Sequence, residues 1–273
     1  MELTSVRYEI EGHVATVWLH RPHRHNAWTG RMHGEYRRVL ALLHADPSVR
    51  VVVVTGTPPA FCVGGDSEAL AGHAERGAYD PGLVDDLPTP GYGARPEFDA
   101  DFAFQFALRT PVIAAVNGAA AGVGLALALF CDLRFGCATA KLTTAAPKLG
   151  LPAEYGMSWQ LPRLVGATRA ADLLLSGRVV TPGDTAEWGL WNGVEDTPEA
   201  TLDAAQRYAL HLATGVGPTA LATTKAQLYA DLLHPSPAQA IREAQRLLAE
   251  AMTTAEYREG VAALREKRPP DFG

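Results

Sequence analysis

The 273-residue sequence has few cysteines, no excess of basic residues and no long uninterrupted hydrophobic run. Its three cysteines are an odd number and lack the spacing of a disulfide framework or a zinc site, so we predict no metal and a reducing, cytoplasmic location. The formal net charge of −6 argues against a nucleic-acid partner, because such proteins usually present a basic surface. The first residues also lack the basic start and apolar core of a signal peptide.

A run of small residues that leads into an apolar segment, NGAAAGVGLALALFCD at 117–132, is the first positive feature. It does not favour a membrane span, which needs about 20 apolar residues, because Asn117 and Asp132 bound the run. No P-loop lysine follows the glycines, and Leu127 occupies the third glycine position of a dinucleotide fingerprint. Two interpretations remain: a strand-to-helix turn whose free N–H groups hold an anion, or plain packing of small residues.

A second glycine-rich turn lies in TGTPPAFCVGGDSEAL at 55–70, after a predicted buried strand and before a predicted helix capped at Asp66. Two such turns can aim two backbone N–H groups at one oxygen, which is what an oxyanion hole requires. The sequence has no Gly-x-Ser-x-Gly elbow and no evident cysteine–histidine pair, so a serine hydrolase and a thiol enzyme both lack their motifs.

Strand-like and helix-like segments alternate along the first part of the chain, which predicts α/β layers with a largely parallel sheet. A loop is expected at 77–96, where Gly, Pro and Asp are frequent, and a helix at about 97–109. Beyond residue 197 only helices are predicted. We therefore divide the chain into a core, 1–196, and a C-terminal helical region for oligomerisation, 197–273, since amphipathic helices without a sheet to cover need a partner surface.

Six segments, in this order along nearly the whole chain, resemble the crotonase superfamily, also called the enoyl-CoA hydratase/isomerase family. They are HRPHRHNAWT (20–29), VVVVTGTPPAFCVGGD (51–66), TPVIAAVNGAAAGVGLALALFCDLRFG (110–136), KLGLPAEYGMSWQLPRLVG (148–166), LLLSGRVVTPGDTAEWGLWNGV (173–194) and YREGVAALREKRPPDF (257–272). The resemblance implies a crotonase-like spiral of ββα units with a C-terminal helical region. It also implies an acyl-CoA substrate, no cofactor beyond the coenzyme A of that substrate, and a homotrimer or a dimer of trimers.

The resemblance further implies which residues form the site. The N–H groups of Gly65 and Val123 would be the two oxyanion donors, binding the thioester oxygen and stabilising an enolate. Coenzyme A would meet the backbone of the segment at 23–25 and, from a neighbouring subunit, Lys267. The residues expected to bind coenzyme A or the rest of the substrate are His23, Arg24, His25, Cys62, Val63, Asp66, Gly122, Tyr155 and Lys267.

Two departures from the family pattern bear on the reaction. Ala126 and Ala146 occupy the positions of the two glutamates that hold and activate water in the hydratases of the family, and neither alanine can exchange a proton. Glu154 remains as a nearby carboxylate, which suits a proton shuttle that moves a double bond, provided that burial raises its pKa. The alternatives are a hydratase with atypical acid/base residues and a weakly catalytic acyl-CoA-binding protein. Other candidate acid/base residues are Glu68, His73 and Tyr155.

Overall fold

The computed structural model describes residues 2–76, 87–234 and 236–273, with the side chains of His73, Ala74 and Arg76 also left aside. The strands are β1 (Val6–Glu11), β2 (Val14–Leu19), β3 (Val51–Gly56), β4 (Ala60–Cys62), β5 (Val112–Val116), β6 (Ala119–Ala121), β7 (Leu133–Cys137), β8 (Leu142–Thr143) and β9 (Gly193–Glu195). The helices are α1 (Gly30–Ala45), α2 (Ser67–Arg76), α3 (Val123–Leu129), α4 (Met157–Ser176), α5 (Pro198–Gly215), α6 (Pro218–Asp231), α7 (Pro237–Ala251) and α8 (Ala255–Glu266). None of the helices in these ranges is both long and apolar enough to cross a bilayer.

The larger sheet has the strand order β1-β2-β3-β5-β7-β9, and all its pairs are parallel except the β1–β2 hairpin. In β3 every residue is buried, as expected for a parallel strand covered on both faces. Successive side chains of β3 point to opposite faces of the sheet. Val52 and Val54 belong to the larger hydrophobic core, whereas Val51 and Val53 belong to a second core. The α/β prediction is therefore confirmed.

Helix α5 closes the second core. Its N-terminus is capped by Thr197, whose Oγ1 accepts from the Ala200 N–H at 3.1 Å, and its buried alanines lie against β3, β5 and β7. The methyl side chains allow a close approach of helix to sheet. The first of the predicted C-terminal helices thus covers the sheet, while α6, α7 and α8 continue the helical region; the boundary at residue 197 stays a prediction.

One predicted element is wrong. In place of a helix at about 97–109 the chain forms two short 3₁₀ helices, Pro96–Phe98 and Ala103–Ala107. Between them Phe102 has a φ of +62° and is fully buried, so its backbone leaves the helical region while its ring enters the core. The burial of the ring outweighs the local helical periodicity. Of the loop predicted at 77–96, residues 77–86 lie outside the described part of the chain.

A smaller parallel sheet, β4-β6-β8, is formed by strands of two or three residues. Cys62 pairs with Ala120, and Ala121 pairs with Thr143. Because the three strands are parallel, their carboxyl ends meet at one edge. The two glycine turns and the segment that begins at Thr144 therefore start side by side, and this edge carries the candidate site.

Candidate active site

The first glycine turn, Gly64–Gly65, is held by the backbone of Trp28. The Trp28 N–H donates to the Gly64 carbonyl at 2.7 Å, and the Asp66 N–H donates to the Trp28 carbonyl at 2.9 Å. The N–H of Gly65, between these two bonds, has no acceptor among the described residues, and Gly65 is exposed. The turn therefore presents one fixed donor to a ligand.

The buried side chain of Asp66 stabilises this turn. Its carboxylate is 3% exposed and receives hydrogen bonds from Arg21 at 2.9 Å, from Arg24 at 3.0 Å and from the Glu68 N–H at 3.0 Å. Burial opposes ionisation, but the Glu68 N–H and the two guanidinium groups outweigh it and hold the pKa of Asp66 below its usual range. Asp66 therefore caps α2, as the sequence predicts, and positions the turn.

The second glycine turn leads into α3. Gly122 has a φ of +49°, and its N–H donates to the Thr143 carbonyl at 3.1 Å. Val123 begins the helix, so its N–H has no helical acceptor, and none is found elsewhere in the described chain. The positive end of the helix dipole lies at this donor. The side chain of Val123 is buried. A valine is therefore compatible with this position if only its backbone N–H contacts a ligand.

The two turns are packed directly on each other. A Cβ atom on Gly64 would lie 3.2 Å from the Ala121 carbonyl oxygen, and one on Gly124 would lie 2.2 Å from the Cys62 oxygen. Any side chain at position 124 would force the turns apart. The close approach fixes the free N–H groups of Gly65 and Val123 in one rigid unit.

Ala126 follows the second turn, Ala146 lies in the segment after β8, and both are buried. Ala126 is in the first turn of α3, where its N–H donates to the Gly122 carbonyl at 2.9 Å. Ala146 begins the 3₁₀ helix that follows β8, Ala146–Leu149. The two positions contribute methyl groups, so neither supplies a titratable group to the candidate site.

Glu154 lies in the loop between that 3₁₀ helix and α4. Its carbonyl accepts from the Met157 N–H at 3.0 Å. Its half-buried carboxylate makes no hydrogen bond or ion pair with any described residue. Burial raises the pKa of this carboxyl above its usual value. Glu154 is therefore a half-buried carboxyl group with a raised pKa and with no cation or hydrogen-bond donor beside it among the described residues.

An aromatic row connects the Glu154 loop with the first glycine turn. Tyr155, half-buried with a φ of +49°, places its ring 5.5 Å from that of Phe102, and Phe102 lies 5.6 Å from Trp28. Trp28 is the residue whose backbone holds Gly65. Sequence reasoning missed Phe102, although the repeated phenylalanines of FDADFAFQF at 98–106 were a signal for an aromatic wall.

The structure brings the segment at 23–25 next to the first turn. His23 and His25 are exposed, and the Val63 N–H donates to the His25 carbonyl at 3.4 Å. Arg24 donates to Asp66 at 3.0 Å and to the Ser67 hydroxyl at 3.2 Å. Two exposed histidines and a partly exposed arginine thus border the first glycine turn.

The remaining predicted residues differ in their exposure. Cys62 is completely buried beneath Gly124, and burial raises the pKa of its thiol to about 12. Val63 is 37% exposed, and Lys267 is an exposed residue at the C-terminal cap of α8. The side chain of His73 lies outside the described residues. In the described ranges, no group of three or more His, Cys, Asp or Glu side chains is arranged to hold a metal ion.

Comparisons with known proteins identify the family of this chain. The sequence profile of the family Enoyl-CoA hydratase/isomerase matches residues 9–273. A probable enoyl-CoA hydratase of Rhodobacter capsulatus is 37% identical over 100% of this chain and 99% of its own length. The 1,2-epoxyphenylacetyl-CoA isomerase of Escherichia coli is 36% identical over 96% of each chain. The crystal structure of a probable enoyl-CoA hydratase/isomerase from Mycobacterium abscessus has a TM-score of 0.85 at 34% identity, covering 99% of both chains.

The chain therefore belongs to the crotonase superfamily and is an enzyme of the enoyl-CoA hydratase/isomerase family. The resemblance of the six sequence segments is confirmed, and so is the crotonase fold with its C-terminal helical region.

Proposed function

We propose that this enzyme is an acyl-CoA isomerase that moves a carbon–carbon double bond through a thioester enolate. Glu154 is its acid/base, and the N–H groups of Gly65 and Val123 hold the thioester oxygen. The observation that carries the proposal is the state of Glu154: a half-buried carboxyl without a described partner, with its pKa raised by burial. A raised pKa makes such a group a stronger proton acceptor than an ordinary glutamate.

In this proposal the two backbone N–H groups stabilise the negative charge of the enolate. Removing a proton from the α-carbon of a thioester puts negative charge on the carbonyl oxygen, and fixed donors aimed at that oxygen stabilise it. Both N–H groups are free among the described residues and are held in one packed unit. Because they are fixed before the reaction, they do not need to reorient as charge develops.

One carboxyl group is sufficient for both proton transfers of the isomerisation. The Glu154 carboxylate takes a proton from the α-carbon of a β,γ-enoyl-CoA. The electron pair of that C–H bond forms a double bond to the carbonyl carbon, and the carbonyl π pair moves to the thioester oxygen. The resulting acid then returns the proton to the γ-carbon. The double bond moves to the α,β position as the carbonyl re-forms, and Glu154 regains its charge without a second reactant.

Hydration is the second candidate, and the name of the Rhodobacter relative favours it. It would require a positioned water molecule, whereas the buried Ala126 and Ala146 have only methyl groups at the positions that the family resemblance implies for the two hydratase glutamates. A single carboxyl orients water poorly, so isomerisation fits this site better. A weakly catalytic acyl-CoA binder is the third reading, which the raised pKa of Glu154 disfavours.

We also propose that the enzyme assembles as a homotrimer or a dimer of trimers and works in the cytoplasm. The helices α5 to α8 carry exposed apolar side chains that a monomer would leave in water, including Leu228, Ile241 and Leu264. In such an assembly Lys267, which is exposed at the end of α8, would reach the coenzyme A phosphates of a neighbouring subunit. The three cysteines are free and buried, as suits a reducing compartment.

The test of the catalytic role is to follow isomerisation of a β,γ-enoyl-CoA and hydration of an α,β-enoyl-CoA with the wild type and with Glu154→Gln. This substitution preserves the shape of the side chain but removes the base. Isomerisation of a β,γ-enoyl-CoA should fall by roughly 10²- to 10⁴-fold, the usual size of a general acid/base contribution. Glu187→Gln is the matched control, because Glu187 is an exposed glutamate outside the site. It should leave turnover unchanged.

Full activity in Glu154→Gln would refute the catalytic role. A wild type that hydrates α,β-enoyl-CoA efficiently but leaves β,γ-enoyl-CoA untouched would refute the reaction preference. Water activation would then need another residue, and Glu68, His73 and Tyr155 would be the candidates to replace.

A further inference from the structure

The peptide groups behind the two free N–H donors are supported in different ways. At the second turn the Gly122 carbonyl, which shares a peptide group with the Val123 N–H, accepts from the Ala126 N–H at 2.9 Å. Helix α3 therefore continues the line of hydrogen bonds behind this donor. Gly65 lies before α2, and its peptide group is supported by a different segment of the chain.

A chain of hydrogen bonds leads from the Gly65 donor to Arg21. The Gly65 N–H belongs to the same peptide group as the Gly64 carbonyl, which accepts from the Trp28 N–H at 2.7 Å. That N–H in turn shares its peptide group with the Ala27 carbonyl, which accepts from Arg21 Nη1 at 2.5 Å. Because a trans peptide directs its N–H and its carbonyl to opposite sides, the two peptide groups connect the guanidinium head to tail with the free donor.

Arg21 is held in place, and its charge is only partly offset. Its backbone N–H donates to Asn26 Oδ1 at 2.9 Å. Its side chain is 19% exposed, and Nη1 also donates to Asp66 Oδ2 at 2.9 Å. Asp66 shares its single carboxylate with Arg24, at 3.0 Å. Glu68 lies 3.5 Å from Arg24, but its side chain is 86% exposed, so water screens its charge. A positive charge therefore remains at the start of the chain of peptide groups.

We propose that Arg21 is a positioning residue that strengthens the Gly65 N–H as a hydrogen-bond donor through these two peptide groups. The proposal rests on the proposed function for the place of the thioester oxygen at that N–H. A carbonyl that accepts from a cation makes the N–H of its own peptide group a better donor, and the bonds of such a chain strengthen one another by about 10–30% each. Arg21 thus does for Gly65 what helix α3 does for Val123.

Infrared spectroscopy of bound butanoyl-CoA, isotope-labelled in its thioester carbonyl, measures the strength of this donor. This saturated thioester has no double bond to move, so the carbonyl frequency reports hydrogen bonding. The wild type should lower that frequency relative to the thioester in water. Arg21→Met removes the cation and its hydrogen bonds, and should reduce the shift by about 10–30%. Arg178→Met is the matched control, an exposed arginine that pairs with Asp172 of α4, and should keep the full shift.

Kinetics give a second readout, which a merely structural role would not produce. Negative charge on the thioester oxygen is largest in the enolate, so kcat for a β,γ-enoyl-CoA should fall by about tenfold in Arg21→Met while KM stays within about twofold. The loss is smaller than the roughly 10²- to 10³-fold expected when a donor is removed entirely. Both side-chain contacts of Arg21 come from one nitrogen, so the ammonium group of Arg21→Lys can replace them. It should restore most of the shift and of kcat.

An undiminished frequency shift in folded Arg21→Met would overturn the inference, and so would a rise in KM with unchanged kcat. If Arg21→Met does not fold, Arg21→Gln keeps a neutral donor for the Ala27 carbonyl. The shift in Arg21→Gln should then be smaller than that in Arg21→Lys, because only the latter retains the cation. Equal shifts in these two variants would contradict the inference.

The role of Arg21 and the proposed function fail in different ways. A wild type that lowers the carbonyl frequency but does not isomerise a β,γ-enoyl-CoA would refute the isomerase and leave the role of Arg21 standing. A wild type with a full shift that does not depend on Arg21 would refute this inference alone. A wild type without any shift would refute the oxyanion assignment and this inference together.

Discussion

Glu35 and Glu154 are both shielded from water to some extent, yet their surroundings shift their pKa values in opposite directions. Glu35, on α1, is completely buried. It accepts hydrogen bonds from the Ser5 N–H at 2.6 Å, the Val6 N–H at 2.9 Å and Arg31 at 2.8 Å. Burial alone would raise the pKa of Glu35, but these donors and the Thr4 N–H outweigh it and lower the pKa below 4.5.

Glu154 is only half-buried, yet its pKa is raised, because no described donor opposes the effect of burial. The comparison teaches that depth alone does not identify a functional carboxyl. What distinguishes Glu154 is the absence of partners in the part of the chain that the structure describes. Glu35 joins the start of β1 to α1, whereas Glu154 has the properties that the proposed acid/base role requires.

Backbone N–H groups of the first glycine turn differ in the same way: that of Asp66 has an acceptor, whereas that of Gly65 has none among the described residues. Replacing Gly65 by proline gives the largest expected effect. Gly65→Pro removes the free N–H while keeping the neighbouring bonds of Gly64 and Asp66 to Trp28. We expect kcat to fall by roughly 10²- to 10³-fold, as when an oxyanion donor is lost. The rate of isomerisation under saturating substrate measures it.

Circular dichroism and thermal melting must first confirm that Gly65→Pro is folded. A folded variant with wild-type turnover would show that this N–H group does not bind the thioester oxygen. Loss of kcat with an unchanged melting temperature would support the assignment.

Glu35→Ala tests the other side of the comparison. It leaves several backbone N–H groups near Ser5 without their acceptor, so the free energy of unfolding should fall by roughly 3 kcal/mol or more. Turnover per folded molecule should not change. The pKa of Glu35 is lowered in the folded state, so its contribution is present above the usual glutamate pKa and lost as the pH falls through the lowered value.

Urea denaturation across a pH series measures this difference. The stability gap between wild type and Glu35→Ala should be constant at neutral pH and shrink in acid. A gap that grows in acid, or a variant as stable as the wild type, would contradict the structural role.

Local features of this molecule could be predicted from the sequence, and long-range ones could not. The cap at Asp66 and the two glycine turns follow from residue types at fixed spacing. The break at Phe102 depends on burial of its ring among Trp28 and Tyr155, which lie far away in the sequence. The different fates of Glu35 and Glu154 were equally hidden, because a single letter does not show which donors surround a carboxylate.

The most direct test of Glu154 as the acid/base is the pH dependence of kcat/KM for a β,γ-enoyl-CoA, which reports the free enzyme. The reaction begins with the carboxylate, so activity should fall as the pH drops through the pKa of Glu154. Because burial raises that pKa, we expect the midpoint of the acid limb above the ordinary glutamate value of 4.5, and we expect this limb to disappear in Glu154→Gln. A midpoint at or below the ordinary value, or the same acid limb in Glu154→Gln, would contradict it.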